Sequence, residues 1–207
     1  SSDLSPIILS IIVSIISTIV TLFLLNGWSR KTIVATLATC VGVIISGVIF
    51  YLISNLLNIS GFNLDEAESL ILIAQNTGLK IRDILFSGIL ISSLGAVMDV
   101  AMSIASSIYE INELNSDLDM KTIFNSGINI GRDMIGTMSN TLILAFAGTS
   151  LSTMLALYSY NTQFNQLMSS DFIAIEFAQS ISGSIGIILA VPITSVISAY
   201  VYKKKIR

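Results

Sequence analysis

Asp99 interrupts an apolar stretch, Ile84 to Tyr109, that is otherwise uncharged, and it is the residue of this chain with the strongest claim to chemistry. A charged side chain in the middle of a membrane span costs at least roughly 2.5–3.5 kcal/mol on insertion scales. Two readings offset that cost. Asp99 is a solvated proton or cation site facing the bundle interior, or it is a protonated carboxyl that only hydrogen-bonds a neighbouring helix. Ser92, Asp99, Ser103, Ser106 and Glu110 follow one another at spacings of seven, four, three and four, which keeps them on one helical face. Gly88 and Gly95 lie beside that face and would let a second helix or a solute approach the backbone.

A second polar group opens the next apolar run. Asp133, Thr137 and Asn140 share a face at i, i+4 and i+7, and Arg132 and Asp133 fall near the expected start of the helix, a position suited to holding an anion. The group reads as a polar gate or binding site at the mouth of a path, or as an ion pair and cap that fixes the helix at the interface. Glu176 stands where the last run begins, ahead of Gly183, Gly186 and Pro192. A span interrupted by glycine and proline can break and free backbone carbonyls for ions, although glycine also serves close packing.

Two aspartates on successive spans raise a third possibility, intramembrane aspartyl hydrolysis, which needs carboxylates near enough to share a proton. Asp99 is expected about 16 Å from the inner end of its helix at ~1.5 Å per residue, with Asp133 at the inner edge, so the two are expected at different depths. Ser10, Ser14, Ser17 and Thr21 on the first run, and Thr32, Thr36 and Thr39 on the second, form further stripes of the small hydroxyl residues that commonly join membrane helices.

The elements that must hold these residues follow from where charge is missing. Of 207 residues 53% are hydrophobic and 11% charged, against about 25% charged in a soluble domain. No acidic or basic residue lies between Asp3 and Arg30, Lys31 and Asp65, Asp133 and Asp171, or Glu176 and Lys203. Each gap supplies the ~20 apolar residues that cross ~30 Å of hydrocarbon. The backbone must satisfy its own hydrogen bonds in lipid, so these runs form helices.

The expected fold is an all-α integral membrane bundle of about five transmembrane helices over residues 6–25, 32–57, 84–109, 134–158 and 181–202. Short amphipathic interfacial helices are expected over 64–75, in the connecting region 110–131, and over 171–180. The first run is too long for a leader core and lacks a basic flank before it. A start at Ser1-Ser2-Asp3 suggests a piece of a longer or processed protein.

Ten basic residues set the orientation. With the C-terminus cytoplasmic and the N-terminus outside, only Lys80 and Arg82 of the ten fall outside, and Glu66 and Asn165 are expected to be external. The chain has no histidine and a single cysteine, Cys40. Haem, zinc and Ser-His-Asp chemistry therefore have no ligands or base to draw on, no cofactor is expected, and the chain is not expected to be an enzyme. No Gly-x-x-x-x-Gly-Lys-Ser/Thr run is present, and nothing points to nucleic acid.

Two blocks carry a family likeness. They are Leu94-Gly95-Ala96-Val97-Met98-Asp99-Val100-Ala101-Met102-Ser103-Ile104-Ala105-Ser106-Ser107 and Ser126-Gly127-Ile128-Asn129-Ile130-Gly131-Arg132-Asp133-Met134-Ile135-Gly136-Thr137-Met138-Ser139-Asn140-Thr141-Leu142. With Gly183-Ser184-Ile185-Gly186 and Val191-Pro192-Ile193-Thr194, they closely resemble the YibE/F-like bacterial membrane proteins. The resemblance implies a multi-pass plasma-membrane protein of the kind described as a transporter or exporter, and brings no catalytic residues with it.

The reading is thus a permease or exporter of a small solute or ion, ion-coupled or part of a larger complex. A non-catalytic scaffold or assembly subunit is the alternative, and the hydrolase is a weaker one. Five helices make a thin conduit, so a homodimer or a partner of the same family is expected in the bilayer, joined through faces bearing Gly42, Gly47, Gly183 and Gly186.

Overall fold

In the computed structural model, which describes residues 6–56, 81–159 and 171–203, the chain forms five long helices and, among the described residues, no strand. They are α1 (Pro6–Asn26), α2 (Arg30–Leu56), α3 (Ile81–Leu114), α4 (Met120–Ser159) and α5 (Asp171–Lys203). All five are long and apolar enough to cross a membrane, as the uncharged runs require. The expected helix over 64–75, with Glu66, and the expected external Asn165 lie outside the described residues.

Local chemistry sets the ends. Pro6 occupies the first turn of α1, where its missing N–H is not needed. Gly27 adopts φ +67° and its N–H donates to Phe23 O at 3.0 Å, a left-handed C-terminal stop that glycine accepts without a steric penalty. Ser29 then caps α2, its Oγ accepting from Thr32 N–H at 3.3 Å. Asp119 does the same for α4, accepting from Thr122 N–H at 3.1 Å. The hydrogen bonds from Thr122 hold the Asp119 carboxyl below the usual carboxylate range.

This cap overturns one expectation. The region 110–131 is not a separate interfacial helix: α3 continues to Leu114, a five-residue turn follows, and α4 begins at Met120. Asn115-Ser116-Asp117-Leu118-Asp119 holds the turn, with Asp117 N–H donating to Asn115 Oδ1 at 3.1 Å. Residues 171–180 are likewise the start of α5. That helix runs unbroken through Gly183, Gly186 and Pro192, so of the two readings of these residues the close-packed one holds and the broken span is not formed.

α3 is seated against both α2 and α5, with α1 on one flank and α4 on the other, while α4 packs chiefly along α5. Phe50, Ile89, Leu90, Val97, Val100, Ile104, Ile108 and Ile187 fill the centre and are fully enclosed. The glycines expected to join two copies are used inside one. A Cβ on Gly42 would come within 2.8 Å of Val97 Cγ1, one on Gly47 within 2.8 Å of Phe86 Cζ, and one on Gly186 would overlap Ser46 Oγ. Gly183 meets Leu142 and Ser93 in the same way. These four contacts let α2, α3, α4 and α5 approach closely, the ordinary use of small residues between membrane helices.

The hydroxyl stripes are structural too. Thr18, Thr36, Thr39, Ser46, Ser182 and Thr194 each donate to the carbonyl four residues back in their own helix, at 2.6–3.1 Å, which satisfies the hydroxyl without a partner helix. Of the expected α1 stripe, Ser10 and Ser14 are buried, Ser14 Oγ without a hydrogen-bond partner, whereas Thr21 is half-buried and Ser17 exposed.

Candidate functional site

The residues singled out on α3 lie on one stripe, as their spacing predicts, but the stripe faces out of the bundle. Ser92, Asp99, Ser103 and Glu110 are exposed and Ser106 is half-buried. Gly88 and Gly95 sit on the same stripe, and a Cβ at either would find nothing within 4 Å. The interior-facing placement of Asp99 is therefore corrected. The opposite face of α3, built from Ile89, Leu90, Val97, Val100, Ile104 and Ile108, takes up the contacts to the other helices. The polar stripe is left between the α1 flank, where Met98, Met102 and Ala105 join Leu22, and the α4 flank.

α4 repeats the pattern. Arg132, Asp133, Thr137 and Asn140 are all exposed, together with Asn125, Asn129, Gly136 and Thr141. Arg132 and Asp133 stand twelve and thirteen residues after Met120, the first residue of a continuous helix. They are neither a cap nor at a helix N-terminus, and the anion-holding role expected of that position has no basis here. Among the described residues neither they nor Asp99 has an ion-pair partner.

The register between α3 and α4 settles their depth. A Cβ on Gly127 would lie 2.8 Å from Ile108 Cδ1, and one on Gly131 would lie 3.0 Å from Ile104 Cδ1. The two contacts step by four residues in opposite directions, so the helices run antiparallel. Continued along the pair, the register sets Asp99 level with Gly136 and Asp133 level with Met102. At ~1.5 Å per residue, Asp99 and Asp133 differ in depth by about 5 Å. The expected difference of level is thus wrong, because α4 begins fourteen residues earlier than the expected 134. Direction separates the two carboxylates instead. Asp99, five residues before Ile104, is turned about 140° from the side chain that meets α4, and both aspartates point out of the bundle.

Tyr109 and Tyr202 meet at the end of the bundle where Arg30, Lys31 and Lys203 also lie. Their ring centroids are 6.2 Å apart, and Lys31 Nζ lies 5.5 Å from the Tyr109 centroid. Aromatic rings and basic residues gather at the bilayer boundary of a membrane protein. Asp99 precedes Tyr109 by ten residues, or ~15 Å along the helix, half of the ~30 Å core. Beside the two tyrosines, Arg30, Asn112, Glu113, Ser116 and Lys203 line polar clefts of about 290 and 400 Å³. Lys203 Nζ donates to Leu118 O at 3.2 Å, and Tyr202 Oη is buried without a hydrogen-bond partner. In the sequence these residues are spread between positions 30 and 203; their convergence joins α2, α3 and α5 across more than 170 positions.

Glu176 is elsewhere. It is half-buried on α5, 26 residues from Tyr202 and so ~39 Å away along the helix. With Ser150, Ile143, Ala147 and Phe177 it lines a mostly apolar cleft of about 480 Å³ between α4 and α5. Its Oε2 is buried without a hydrogen-bond partner. Glu176 shares neither a face nor a level with Asp99. Among the described residues no group of acidic or cysteine side chains is arranged to hold a metal ion.

The assembled geometry is a polar surface on α3 and α4 that reaches from one boundary to the bilayer midplane. Between Ile91 and Leu114 on α3, and between Met120 and Ile143 on α4, no large hydrophobic residue is exposed. The family model for YibE/F-like proteins matches residues 1–204. No curated protein and no solved structure matches the chain.

Proposed function

Because the chain belongs to the YibE/F-like family of membrane proteins, we propose that it is a transporter or permease for a small solute or ion, with Asp99 as its proton- or cation-binding group. One observation supports this above the others: Asp99, Arg132, Asp133 and Asn140 are exposed on helices that cross the membrane, with Asp99 at mid-depth. Hydrocarbon offers such groups no hydrogen bonds, and intramembrane ionisable residues mark ion and solute pathways. A hydrated path bounded by α3 and α4 gives each of them water and gives a passing cation a carboxylate.

Ser92, Ser103, Ser106 and Thr137 would line that path, and Arg132, Asp133 and Asn140 its approach. Without an ATP-binding motif, the energy would come from an ion gradient or a separate subunit. The basic residues at the Tyr109–Tyr202 end, Arg30, Lys31, Lys121 and Lys203, make that end cytoplasmic, so the N-terminus is outside a bacterial plasma membrane. An aspartyl dyad within one chain is not favoured, because the two carboxylates point outward. A scaffold or assembly subunit is the second reading, favoured by the same surface: polar groups on a membrane face also serve to hold another protein.

Flux in reconstituted vesicles separates the two. With proton and monovalent-cation flux followed beside thermal stability, Asp99→Asn is expected to fold normally and abolish coupled flux, since the neutral side chain cannot bind and release the coupling ion. Asp99→Glu should keep part of it. Full flux in the Asn variant would remove Asp99 from the mechanism, and no flux of any tested ion in the unaltered protein would favour the scaffold.

A further inference from the structure

The polar surface of α3 and α4 has to be covered by something, and we infer that it is covered by a second, parallel copy of this chain, with Arg132 of one copy set against Asp99 of the other. The inference deepens the reading above by naming what completes the site, and it rests on that reading only in taking these helices as spanning the bilayer.

Four observations carry it. First, the surface cannot face lipid. It exposes Asp99, Arg132 and Asp133 together with Asn129, Thr137 and Asn140, and no large hydrophobic residue is exposed on these stretches of α3 and α4. Second, nothing in the described chain covers it. Gly88, Gly95, Gly136 and Gly148 on the two helices would each accept a Cβ with no atom within 4 Å, whereas Gly42, Gly47, Gly127, Gly131, Gly183 and Gly186 are all filled by neighbouring helices. The open glycines within helices are confined to these uncovered faces and leave room for another helix to approach, as small residues do at membrane-helix interfaces.

Third, the surface is self-complementary in charge. It carries acidic and basic groups at almost one depth: in the α3–α4 register Arg132 is level with Ser103, four residues and ~6 Å from Asp99 along the axis. A two-fold axis along the membrane normal preserves depth, and it makes every contact occur twice. An arginine within ~6 Å of the level of a carboxylate reaches it with its own side-chain length. Each contact then brings together opposite charges that have no ion-pair partner among the described residues. A partner of other composition would have to supply both signs at the same depth.

Fourth, the copies must be parallel. Arg30, Lys31, Lys121 and Lys203 lie toward one end and, among the described residues, only Arg82 lies at the other, which selects one orientation for every copy.

The test uses the full chain with Cys40→Ala and one cysteine introduced at a time. Ser103→Cys and Thr137→Cys report the polar surface, and Ile16→Cys and Val48→Cys report the apolar one. In native membranes, a short bifunctional maleimide should link Ser103→Cys and Thr137→Cys into a species of twice the mass, and should leave the other two monomeric. Two differently tagged copies should co-purify, and singly labelled protein in nanodiscs should bleach in two steps.

Arg132→Asp and Asp99→Arg should each lower the dimer fraction about tenfold, and the double exchange should restore it to within about threefold, the signature of a direct pair. Linkage at Ile16→Cys or Val48→Cys alone, single-step bleaching, a cross-link to a different protein, or a double exchange no better than the singles would each overturn the inference. If the charge variants fail to fold, the cross-linking pattern of the cysteine variants decides alone. A dimer that carries no ion would leave this inference standing and sink the transport reading; a monomer with full flux would do the reverse.

Discussion

Two surfaces of the bundle face outward and are made differently. α1, α2 and α5 present Ile12, Ile16, Val20, Leu37, Ile44, Val48, Ile188 and Val196, side chains that acyl chains solvate as well as a protein core does. α3 and α4 present aspartate, arginine, asparagine, serine, threonine and open glycine over the stretch that reaches from one boundary to mid-bilayer. Being outward therefore means two things in this protein. On one side it means contact with lipid; on the other it means contact with water or protein, since an uncovered charge at that depth is not stable against lipid. In the dimer proposed above, the α3–α4 surface that is exposed on one copy would lie in the interior.

Exchanging the chemistry of the two surfaces breaks or sharpens this comparison. The largest effect is expected from putting a charge on the lipid side. Val41→Asp, on the exposed side of α2 near the level of Asp99, should destabilise the protein or its insertion by roughly 2.5–3.5 kcal/mol, read as lost yield and a lower unfolding midpoint in bicelles. A neutral result would mean that the α2 surface is not lipid-facing.

Next come the two kinds of glycine. Gly186→Ala drives a methyl into Ser46 Oγ and should cost about 1–3 kcal/mol, as overpacking does. Gly95→Ala meets empty space within one chain, so it should leave the stability of the isolated chain unchanged while weakening dimerisation. Equal stability losses for both would erase the distinction between covered and open glycines.

Asn140→Leu should then change stability by no more than about 0.5 kcal/mol, as surface substitutions usually do, yet reduce flux. A clear gain in stability with flux intact would show that Asn140 faces lipid.

The smallest effect lies outside the membrane. Asp119 has its folded pKa lowered by the Thr122 hydrogen bonds. Its contribution is therefore present above the ordinary aspartate range and lost as pH falls through the lower folded value. Thermal stability should drop slightly between pH 5 and pH 3 in the natural chain, and less in Asp119→Asn. An equal drop in both would mean that the cap does not contribute.

The amino-acid sequence by itself determined the number of membrane-length helices and the α3 polar stripe, because uncharged length and helical periodicity are properties of a segment alone. It also marked Arg132, Asp133, Thr137 and Asn140 as a polar group. It did not reveal that Met120 to Ser159 is one helix, although Asp119 three residues before Thr122 is a capping signal that the strong polarity of residues 110–131 obscured.

Which face of each helix is covered was decided only in the tertiary structure. In a soluble protein, polarity tells outside from inside. In a bilayer the lipid-facing and core-facing sides are equally apolar, so Gly42 and Gly186 read like an intermolecular seam when they in fact hold one chain together. The same ambiguity hid the direction of Asp99. Periodicity fixes which residues share a face, and only the packing of Ile89, Val97, Ile104 and Ile108 against the neighbouring helices turns that face outward.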